Sequence, residues 1–186
     1  WEAIREGAAA VASVPGRLQR IDAGQPFTVV VDYAHTDDAL RNVLEVLRPL
    51  TPGRLIAVFG CGGDRDRSKR PLMGAHAARL ADLVWVTSDN PRGEDPGSII
   101  GMILEGIRGE PDAKALCHVE PDRAKAIGEA VTAARAGDTV LVAGKGHERE
   151  QIIGTRVIPF DDVEVTRRAI TESLAARREG GGGDAG

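Results

Sequence analysis

The feature that most constrains the fold is a repeated alternation of short apolar runs with longer stretches of helical periodicity. The apolar runs are Phe27–Val31, Leu55–Phe59, Leu83–Val86, a weaker Ala115–Val119, and Thr139–Ala143. Runs of this length that are apolar throughout are typical of strands buried on both faces, and helices between them form right-handed crossovers. We therefore predict an α/β fold: a Rossmann-like, doubly wound, mostly parallel sheet.

Capping and breaking residues set the predicted helices between these strands. Thr36, followed by two aspartates, is typical of a helix start, and Pro49 ends that helix after Arg48. Pro71 is a favourable first residue for a helix that ends near Ala81. Three further helices are predicted at about 95–107, 122–134 and 162–178.

Two other segments are predicted to be extended. Residues 17–21 show an alternating pattern that precedes the first buried strand. Ile152–Ile153 and Val157–Ile158 flank a Gly-Thr turn, so they predict a hairpin. Strands this close in sequence pair antiparallel, and we expect the hairpin to extend an edge of the sheet.

The two ends of the chain differ from the part between them. Trp1–Val11 is similar to the end of a helix, and Ser13–Gly16 breaks it, so residues 1–16 are predicted to be the end of a preceding domain and a linker. Residues 17–178 form the predicted domain, and residues 179–186 a disordered Gly-rich tail. Because the first residue is Trp and not Met, we expect the chain to be a piece of a longer protein.

Composition excludes several classes of function. With 42% hydrophobic residues and no long apolar run, we expect no membrane span, and a net charge of -4 with 3% aromatic residues argues against a nucleic-acid surface. Two cysteines are too few for a disulfide framework and lack the spacing of a zinc site. The absence of an export signal and of disulfides predicts a cytoplasmic protein.

Polar or glycine-rich segments follow four of the predicted strands. These segments are Asp32–His35, Gly60–Arg70, Ser88–Arg92 and Gly144–Glu148. Because the carboxyl ends of parallel strands lie at one edge of a sheet, and ligands of open α/β sheets bind there, the four segments predict a ligand site along one rim.

The segment after Leu83–Val86 has the chemistry to bind an amino acid. Asp89 can accept a hydrogen bond from an ammonium, Asn90 can donate and accept, and Arg92 can bind a carboxylate in bidentate fashion. Pro91 fixes the turn that orients them. The alternative is that these residues are ordinary turn formers before a helix, with Arg92 a solvated charge.

Two glycine-rich segments do not match nucleotide-binding motifs. The segment that starts at Gly60 lacks the third glycine of a dinucleotide fingerprint, because Arg65 occupies that position. The turn Gly144–Gly146 is not a Walker A loop, because Thr139 and Gly146 replace its first Gly and its Ser or Thr. Neither motif therefore predicts a phosphate-binding loop.

Other polar residues of the rim leave alternatives open. Four basic residues, Arg65, Arg67, Lys69 and Arg70, could hold an anion near a helix N-terminus, or they could neutralise Asp64 and Asp66 on a solvated loop. Cys61 is either a nucleophile or, the favoured alternative, a small buried thiol. His35 and His147 could contact a ligand or close a turn, and we assign no role to His76 and His118.

Several motifs in a fixed order resemble the C-terminal domain of the Mur ligases, in the branch that adds meso-diaminopimelate during peptidoglycan synthesis. They are VPGRLQR (14–20), DYAHT (32–36), GCGGDRDRSKRPLMG (60–74), TSDNPR (87–92), AGKGHE (143–148) and FDD (160–162). The resemblance covers roughly residues 14–169. One departure is Asp37, where the family usually has Pro, and we expect little consequence because Asp also suits a helix start.

The resemblance implies an ATP-dependent amide-bond-forming ligase. ATP phosphorylates UDP-N-acetylmuramoyl-L-alanyl-D-glutamate, and the amine of meso-diaminopimelate attacks the acyl phosphate. The resemblance assigns the distal end of meso-diaminopimelate to Arg65, Asp89, Asn90, Arg92, Gly144 and Glu148. It assigns ATP to Arg17 at a phosphate, Asp32 at the ribose, and Tyr33 and His35 near the nucleotide.

The resemblance also implies what this chain lacks. ATP and Mg2+ are bound mainly by a central domain of the family, and the nucleotide-sugar by an N-terminal one, so we expect the isolated chain to have no ligase activity. The two arginines predict meso-diaminopimelate over lysine, which lacks one carboxylate. The alternative function is a stand-alone amino-acid-binding module without catalysis.

Overall fold

The computed structural model describes residues 14–180 of the 186-residue chain. The predicted helix end at Trp1–Val11 lies outside the described residues. So does the predicted Gly-rich tail, except for residues 179 and 180, which end the last helix instead.

The order of elements within residues 14–180 is that of a doubly wound α/β fold. The strands are β1 (Gln19–Arg20), β2 (Thr28–Asp32), β3 (Leu55–Phe59), β4 (Leu83–Val86), β5 (Leu116–Val119), β6 (Thr139–Ala143), β7 (Glu150–Ile153) and β8 (Arg156–Pro159). The helices are α1 (Asp37–Leu47), α2 (Lys69–Leu80), α3 (Pro96–Gly109), α4 (Arg123–Ala133) and α5 (Asp162–Gly180), and a 3-10 turn spans Arg48–Leu50.

The main sheet has six strands in the order β1-β2-β6-β3-β4-β5. All neighbours pair in parallel except β1, which is antiparallel to β2. The mostly parallel sheet predicted from the apolar runs is confirmed. Strand order places β6 and β3 in the middle, so the loops that leave β2, β6, β3 and β4 meet at one rim.

Two hydrophobic clusters cover the two faces of this sheet. Because side chains alternate along a strand, Leu55, Ala57 and Phe59 of β3 pack under α1, α2 and α3. Ile56 and Val58 of the same strand pack with α4 and α5 on the other face. The central strands are thus buried on both sides, whereas every residue of the edge strand β5 is exposed.

The hairpin β7–β8 is antiparallel as predicted, but its predicted position is wrong. It forms a two-stranded sheet of its own and does not extend an edge of the main sheet. Its backbone partners lie in the turn after β4: Arg92 donates to Ile152 at 3.0 Å and accepts from Gly154 at 2.7 Å. These bonds hold the hairpin over the rim, while β1 and β5 occupy the edges of the sheet.

Two predicted helix boundaries shift by a few residues. Pro71 is the third residue of α2 rather than its first, which is allowed because backbone N–H groups of the first turn have no partner within the helix. The first helix ends at Leu47, and Pro49 lies in the 3-10 turn that follows. Among the described helices, none has the combination of length and apolar character needed to span a bilayer.

Candidate functional site

One cavity of about 370 Å³ at the carboxyl-end rim contains most of the predicted site residues. It is lined by Tyr33, His35, Thr36, Asp37, Gly62, Arg65, Asp66, Lys69, Asp89, Asn90, Arg92, Gly144 and Glu148. All six residues predicted to bind the amino acid are in this set, together with two of the four predicted to bind ATP. Arg17 and Asp32 are outside this set, and the Arg17 guanidinium lies over the Tyr33 ring.

The turn after β4 is held rigidly by backbone contacts. Asp89 and Asn90 are buried, and Arg92 adopts a left-handed φ of 50°, which is unfavourable for a residue with a side chain. The bonds of Arg92 to the β7–β8 hairpin maintain this conformation. The Arg92 guanidinium uses Nη1 to donate to the carbonyls of Gly63 at 2.9 Å and Asn90 at 3.4 Å. Arg92 therefore borders the cavity with its position fixed by both loops.

Lys145 is a central site residue that the sequence interpretation missed. Its ammonium is fully buried, lies 3.6 Å from Asp89 Oδ1 and 3.5 Å from Glu148 Oε2, and donates to Asn90 Oδ1 at 2.8 Å. Asp89, which was predicted to accept from an ammonium, and Glu148, which the resemblance assigns to the same ligand, thus already share one cation. Two negative charges and one positive charge leave one net negative charge, enough to attract a single further ammonium.

Asn90 connects this group to the hairpin. Its Oδ1 also accepts from the backbone of Ile152 at 3.1 Å, and its Nδ2 donates to Glu148 Oε2 at 2.9 Å. The amide orientation is therefore determined by partners on both sides. Asn90 orients the Glu148 carboxylate in addition to lining the cavity, a role that its position in a turn did not indicate.

Glycine is the residue type that fits at position 144, at the end of β6. Its φ is 123°, and a Cβ there would lie 2.6 Å from Asp89 Oδ2. A side chain at this position would displace the carboxylate from the cavity. The glycine therefore permits the close approach of two loops that both line the site.

Three of the four residues predicted to bind the nucleotide, Arg17, Tyr33 and His35, cluster around the Tyr33 ring, and Tyr33 and His35 line the cavity. The Tyr33 ring lies 4.5 Å from that of His35 and 5.1 Å from that of His147, and the Arg17 guanidinium lies 4.8 Å from its centroid. His147, for which ligand contact and turn closure were both open, is therefore part of this cluster. The rings are tilted against one another by 55° and 40°, and aromatic faces beside a guanidinium suit a planar base and a phosphate.

Asp32 is buried, and its carboxylate binds backbone. It accepts from the N–H of Leu18 at 2.7 Å and from that of Ala34 at 2.8 Å. Leu18 has a left-handed φ of 41°, so this contact helps hold the segment that carries Arg17. The predicted ribose contact of Asp32 stays a prediction. The geometry gives its carboxylate a second role, which is to hold the backbone of the segment before β2.

The basic loop after β3 lacks the predicted pairing of its basic residues with Asp64 and Asp66, and its role in binding an anion stays a prediction. Arg65 lines the cavity, but Asp64 and Asp66 accept from Gly93 and Ser68 rather than from the neighbouring arginines. Instead, Arg70 is fully buried and binds Glu94, a residue that the sequence interpretation did not single out. Hydrogen bonds from Arg70 lower the pKa of Glu94 to about 2.

Arg123 is a second residue that the sequence interpretation did not single out, and it connects the elements that carry the rim. Its guanidinium is buried against Asp162 at 2.6 Å and donates to the carbonyl of Ala143 at 3.0 Å. The pair ties the start of α4 and the start of α5 to the end of β6. Asp162 is the last residue of the FDD motif, which was the available sequence signal.

Cys61 and His118, two of the remaining residues considered from the sequence, are explained by how they pack. Cys61 is buried, and burial raises the pKa of its thiol to about 12, so it is the small buried thiol that was favoured. His118 stacks on Trp85 with ring centroids 4.3 Å apart. Within the described part of the chain, no group of three or more His, Cys, Asp or Glu residues is arranged to hold a metal ion.

Comparisons with known proteins identify relatives over nearly the whole described region. The family "Mur ligase, glutamate ligase domain" matches residues 16–146. UDP-N-acetylmuramoyl-L-alanyl-D-glutamate--2,6-diaminopimelate ligase of Solibacter usitatus is 56% identical over 169 residues, covering 91% of this chain and 34% of that protein.

Solved structures agree with this match. A structure of UDP-N-acetylmuramoyl-L-alanyl-D-glutamate--2,6-diaminopimelate ligase superposes with a TM-score of 0.78 at 46% identity, covering 87% of this chain and 32% of that one. E. coli FolC in complex with ADP superposes with a TM-score of 0.57 at 26% identity, covering 96% and 35%. The chain spans about a third of the length of these relatives.

Proposed function

Because this chain belongs to the Mur ligase family, we propose that it is the C-terminal, amino-acid-binding domain of an ATP-dependent ligase. The ligase joins meso-diaminopimelate to UDP-N-acetylmuramoyl-L-alanyl-D-glutamate, in the cytoplasm, as a step of peptidoglycan synthesis. The relatives that support this assignment carry that activity in their names and match nine-tenths of the chain. We assign the domain to residues 17–178.

The cavity at the rim is the observation that carries the proposal. It has two arginines, Arg65 and Arg92, and a separate cluster of Asp89, Glu148 and Lys145 with one net negative charge. A carboxylate binds to the former and an ammonium to the latter, so the cavity complements the zwitterionic distal end of meso-diaminopimelate. Lysine has the same reacting chain without the distal carboxylate.

This chain's part in the reaction is to bind and orient the attacking amino acid. With its distal end held at the rim, the other amine is free to attack an acyl phosphate made with ATP, and orientation of the two reactants lowers the barrier. Arg17, Tyr33 and His35 fit a nucleotide because they offer a guanidinium beside two neighbouring aromatic rings. FolC, a structural neighbour, binds ADP. We assign Mg2+ mainly to the part of the enzyme outside this chain.

Amide formation by the full-length protein tests the proposal. With meso-diaminopimelate and ATP, we expect ligation, and replacing the substrate with lysine should cost about thirty-fold to several thousand-fold in kcat/KM, since two arginines lose their partner at roughly 2 to 5 kcal/mol. Arg92→Ala should raise the KM for meso-diaminopimelate by a similar factor and leave the KM for ATP unchanged.

Arg20→Ala is the matched control, because Arg20 is an exposed arginine whose contact is a 3.8 Å pair with Asp22. It should leave both KM values unchanged. An unchanged KM in Arg92→Ala would remove Arg92 from the site. Binding of meso-diaminopimelate without any ligation would favour the stand-alone binding module.

A further inference from the structure

A hydrogen-bond network joins the loop that carries Arg65 to the turn that carries Arg92. At its centre is the fully buried guanidinium of Arg70, which extends from the first turn of α2. Its Nη1 and Nη2 donate to the two carboxylate oxygens of Glu94 at 3.0 and 2.9 Å. Nη2 also donates to the carbonyl of Gly62 at 3.1 Å. A bidentate pair of this kind determines both distance and orientation.

Glu94 also bonds directly to the opposite loop. Its Oε1 accepts from the backbone N–H of Asp64 at 2.7 Å, and Asp64 Oδ2 accepts in return from the N–H of Gly93 at 3.0 Å. Each loop thus binds the other through one carboxylate and one backbone donor. Asp64 immediately precedes Arg65, and Gly93 immediately follows Arg92, so the network bonds at the residues next to both arginines.

Backbone conformation gives an independent indication that these positions are held against a local preference. Asp64 and Arg92 have φ values of 53° and 50°, in the left-handed region that residues with a side chain rarely adopt. Such conformations persist where surrounding contacts determine them, and they concentrate at ligand sites. Here the surrounding contacts are those of Glu94 and Arg70 on one side and the hairpin on the other.

We propose that Glu94, held by Arg70, is a positioning residue that sets the separation of the Arg65 and Arg92 side chains and thereby selects amino acids with a distal carboxylate. The inference rests on the proposed function of the cavity. Two arginines grip one carboxylate only at a suitable spacing, and a displacement of about 1 Å can cost on the order of a hundredfold in rate. Lysine makes no use of that spacing, so its reaction is insensitive to it.

Glu94→Gln in the full-length ligase tests this inference. The substitution keeps the shape and one acceptor but removes the charge that Arg70 and Arg67 bind. We expect the KM for meso-diaminopimelate to rise about tenfold to a hundredfold. The KM for ATP and the kcat/KM for lysine should change less than about twofold. The meso-diaminopimelate-to-lysine preference therefore falls, which a general loss of folded protein would not produce.

Asp138→Asn is the matched control. Asp138, like Glu94, is a carboxylate that accepts from an arginine, here Arg54, and from backbone N–H groups, but it is buried at the opposite end of the sheet. The control should leave the preference unchanged even if it lowers the melting temperature. If Glu94→Gln does not fold, Asp64→Ala replaces it, since this exposed side chain provides the reciprocal bond to Gly93. A smaller fall in the same direction is expected.

The outcomes separate the two proposals. Wild-type ligation of meso-diaminopimelate with an unchanged preference in a folded Glu94→Gln or Asp64→Ala variant overturns the positioning role and leaves the proposed function standing. A wild-type enzyme that does not ligate meso-diaminopimelate overturns both. A fall in preference confined to the variants of this network supports the inference.

Discussion

The two ends of the parallel sheet both carry paired charges, but they use them differently. At the amino end, Asp138 accepts from the Arg54 side chain and from the backbone N–H groups of Arg54 and Arg135. Asp82 similarly accepts from Arg48 and from the N–H of Leu55. These carboxylates bind partners within the chain, and they join strands and loops at an end without a predicted site.

At the carboxyl end, charged groups with protein partners also face the cavity. Asp89, Glu148 and Lys145 share contacts, and Arg92 donates to carbonyls through one nitrogen of its fork. Asp89, Glu148 and Arg92 still line a cavity of about 370 Å³. A charged group whose hydrogen bonds are all made within the protein contributes to stability. A charged group that keeps free donors or acceptors facing a cavity is available to bind a ligand.

The largest expected effect on stability is at the amino end. Asp138→Ala leaves the Arg54 charge and two backbone N–H groups without their carboxylate. We therefore expect a loss of about 2 to 3 kcal/mol in the free energy of unfolding, which is less than for a fully buried pair because the Arg54 side chain is a third exposed. The KM for meso-diaminopimelate should not change. Urea denaturation measures the first quantity and steady-state kinetics the second.

Asp22→Ala is the control for this substitution, because its 3.8 Å pair with Arg20 is about two-thirds exposed on both sides. It should change stability by less than about 0.5 kcal/mol. A higher KM in Asp138→Ala would contradict the division between the two ends.

Lys145→Met should have a smaller effect on stability and an additional effect on binding. Met fills a similar apolar volume, and Asp89 and Glu148 border the cavity, so we expect a loss of about 1 to 2 kcal/mol. The KM for meso-diaminopimelate should rise several-fold, because Asn90 and Glu148 lose the contact that orients them. Lys125→Met is the matched control, since Lys125 also pairs with two carboxylates, Glu120 and, at 3.8 Å, Glu129, but is 64% exposed and lies outside the cavity lining. An unchanged KM in Lys145→Met would mean that Lys145 acts in folding alone.

The smallest expected effect is on the stability of the protein at acidic pH. Hydrogen bonds from Arg70 lower the pKa of Glu94 from 4.5 to about 2 in the folded protein. Glu94 therefore contributes stability that is fully present above pH 4.5 and is lost as the pH falls toward 2. In Glu94→Gln this part of the pH dependence should be absent, which urea denaturation at several pH values across this window can measure. Equal acid sensitivity in both proteins would contradict the role of this pair.

Most of the fold could be predicted because it depends on local patterns. Leu55–Phe59, Leu83–Val86 and Thr139–Ala143 form strands with the predicted bounds, since uniformly apolar runs of this length have to be covered on both faces. Thr36 and Asp95 cap helices as short polar side chains do before a helical pattern. The position of the hairpin over the rim could not be predicted, because its partners are backbone groups about sixty residues earlier in the chain.

The candidate site likewise has one part that the sequence predicted and another that it did not. Asp89, Asn90, Arg92, Gly144 and Glu148 line the cavity because the polar segments that follow parallel strands meet at one rim, as the sequence predicted; their contacts with a ligand stay predictions. Lys145 was missed although it lies in the same motif as Gly144 and Glu148, since nothing local shows which charge a buried ammonium will contact. Glu94 was missed for the same reason, as its partner Arg70 belongs to another loop and helix.

The amino-acid sequence by itself determined the type of most elements, their order along the chain, and the rim at which the polar segments meet. Hydrophobic periodicity and turn residues act over a few positions, so they can be read without coordinates. The tertiary structure alone decided which charges neutralise each other and which face the cavity. That choice depends on distances of 3 to 4 Å between side chains distant in the chain, and only the packed loops determine those distances.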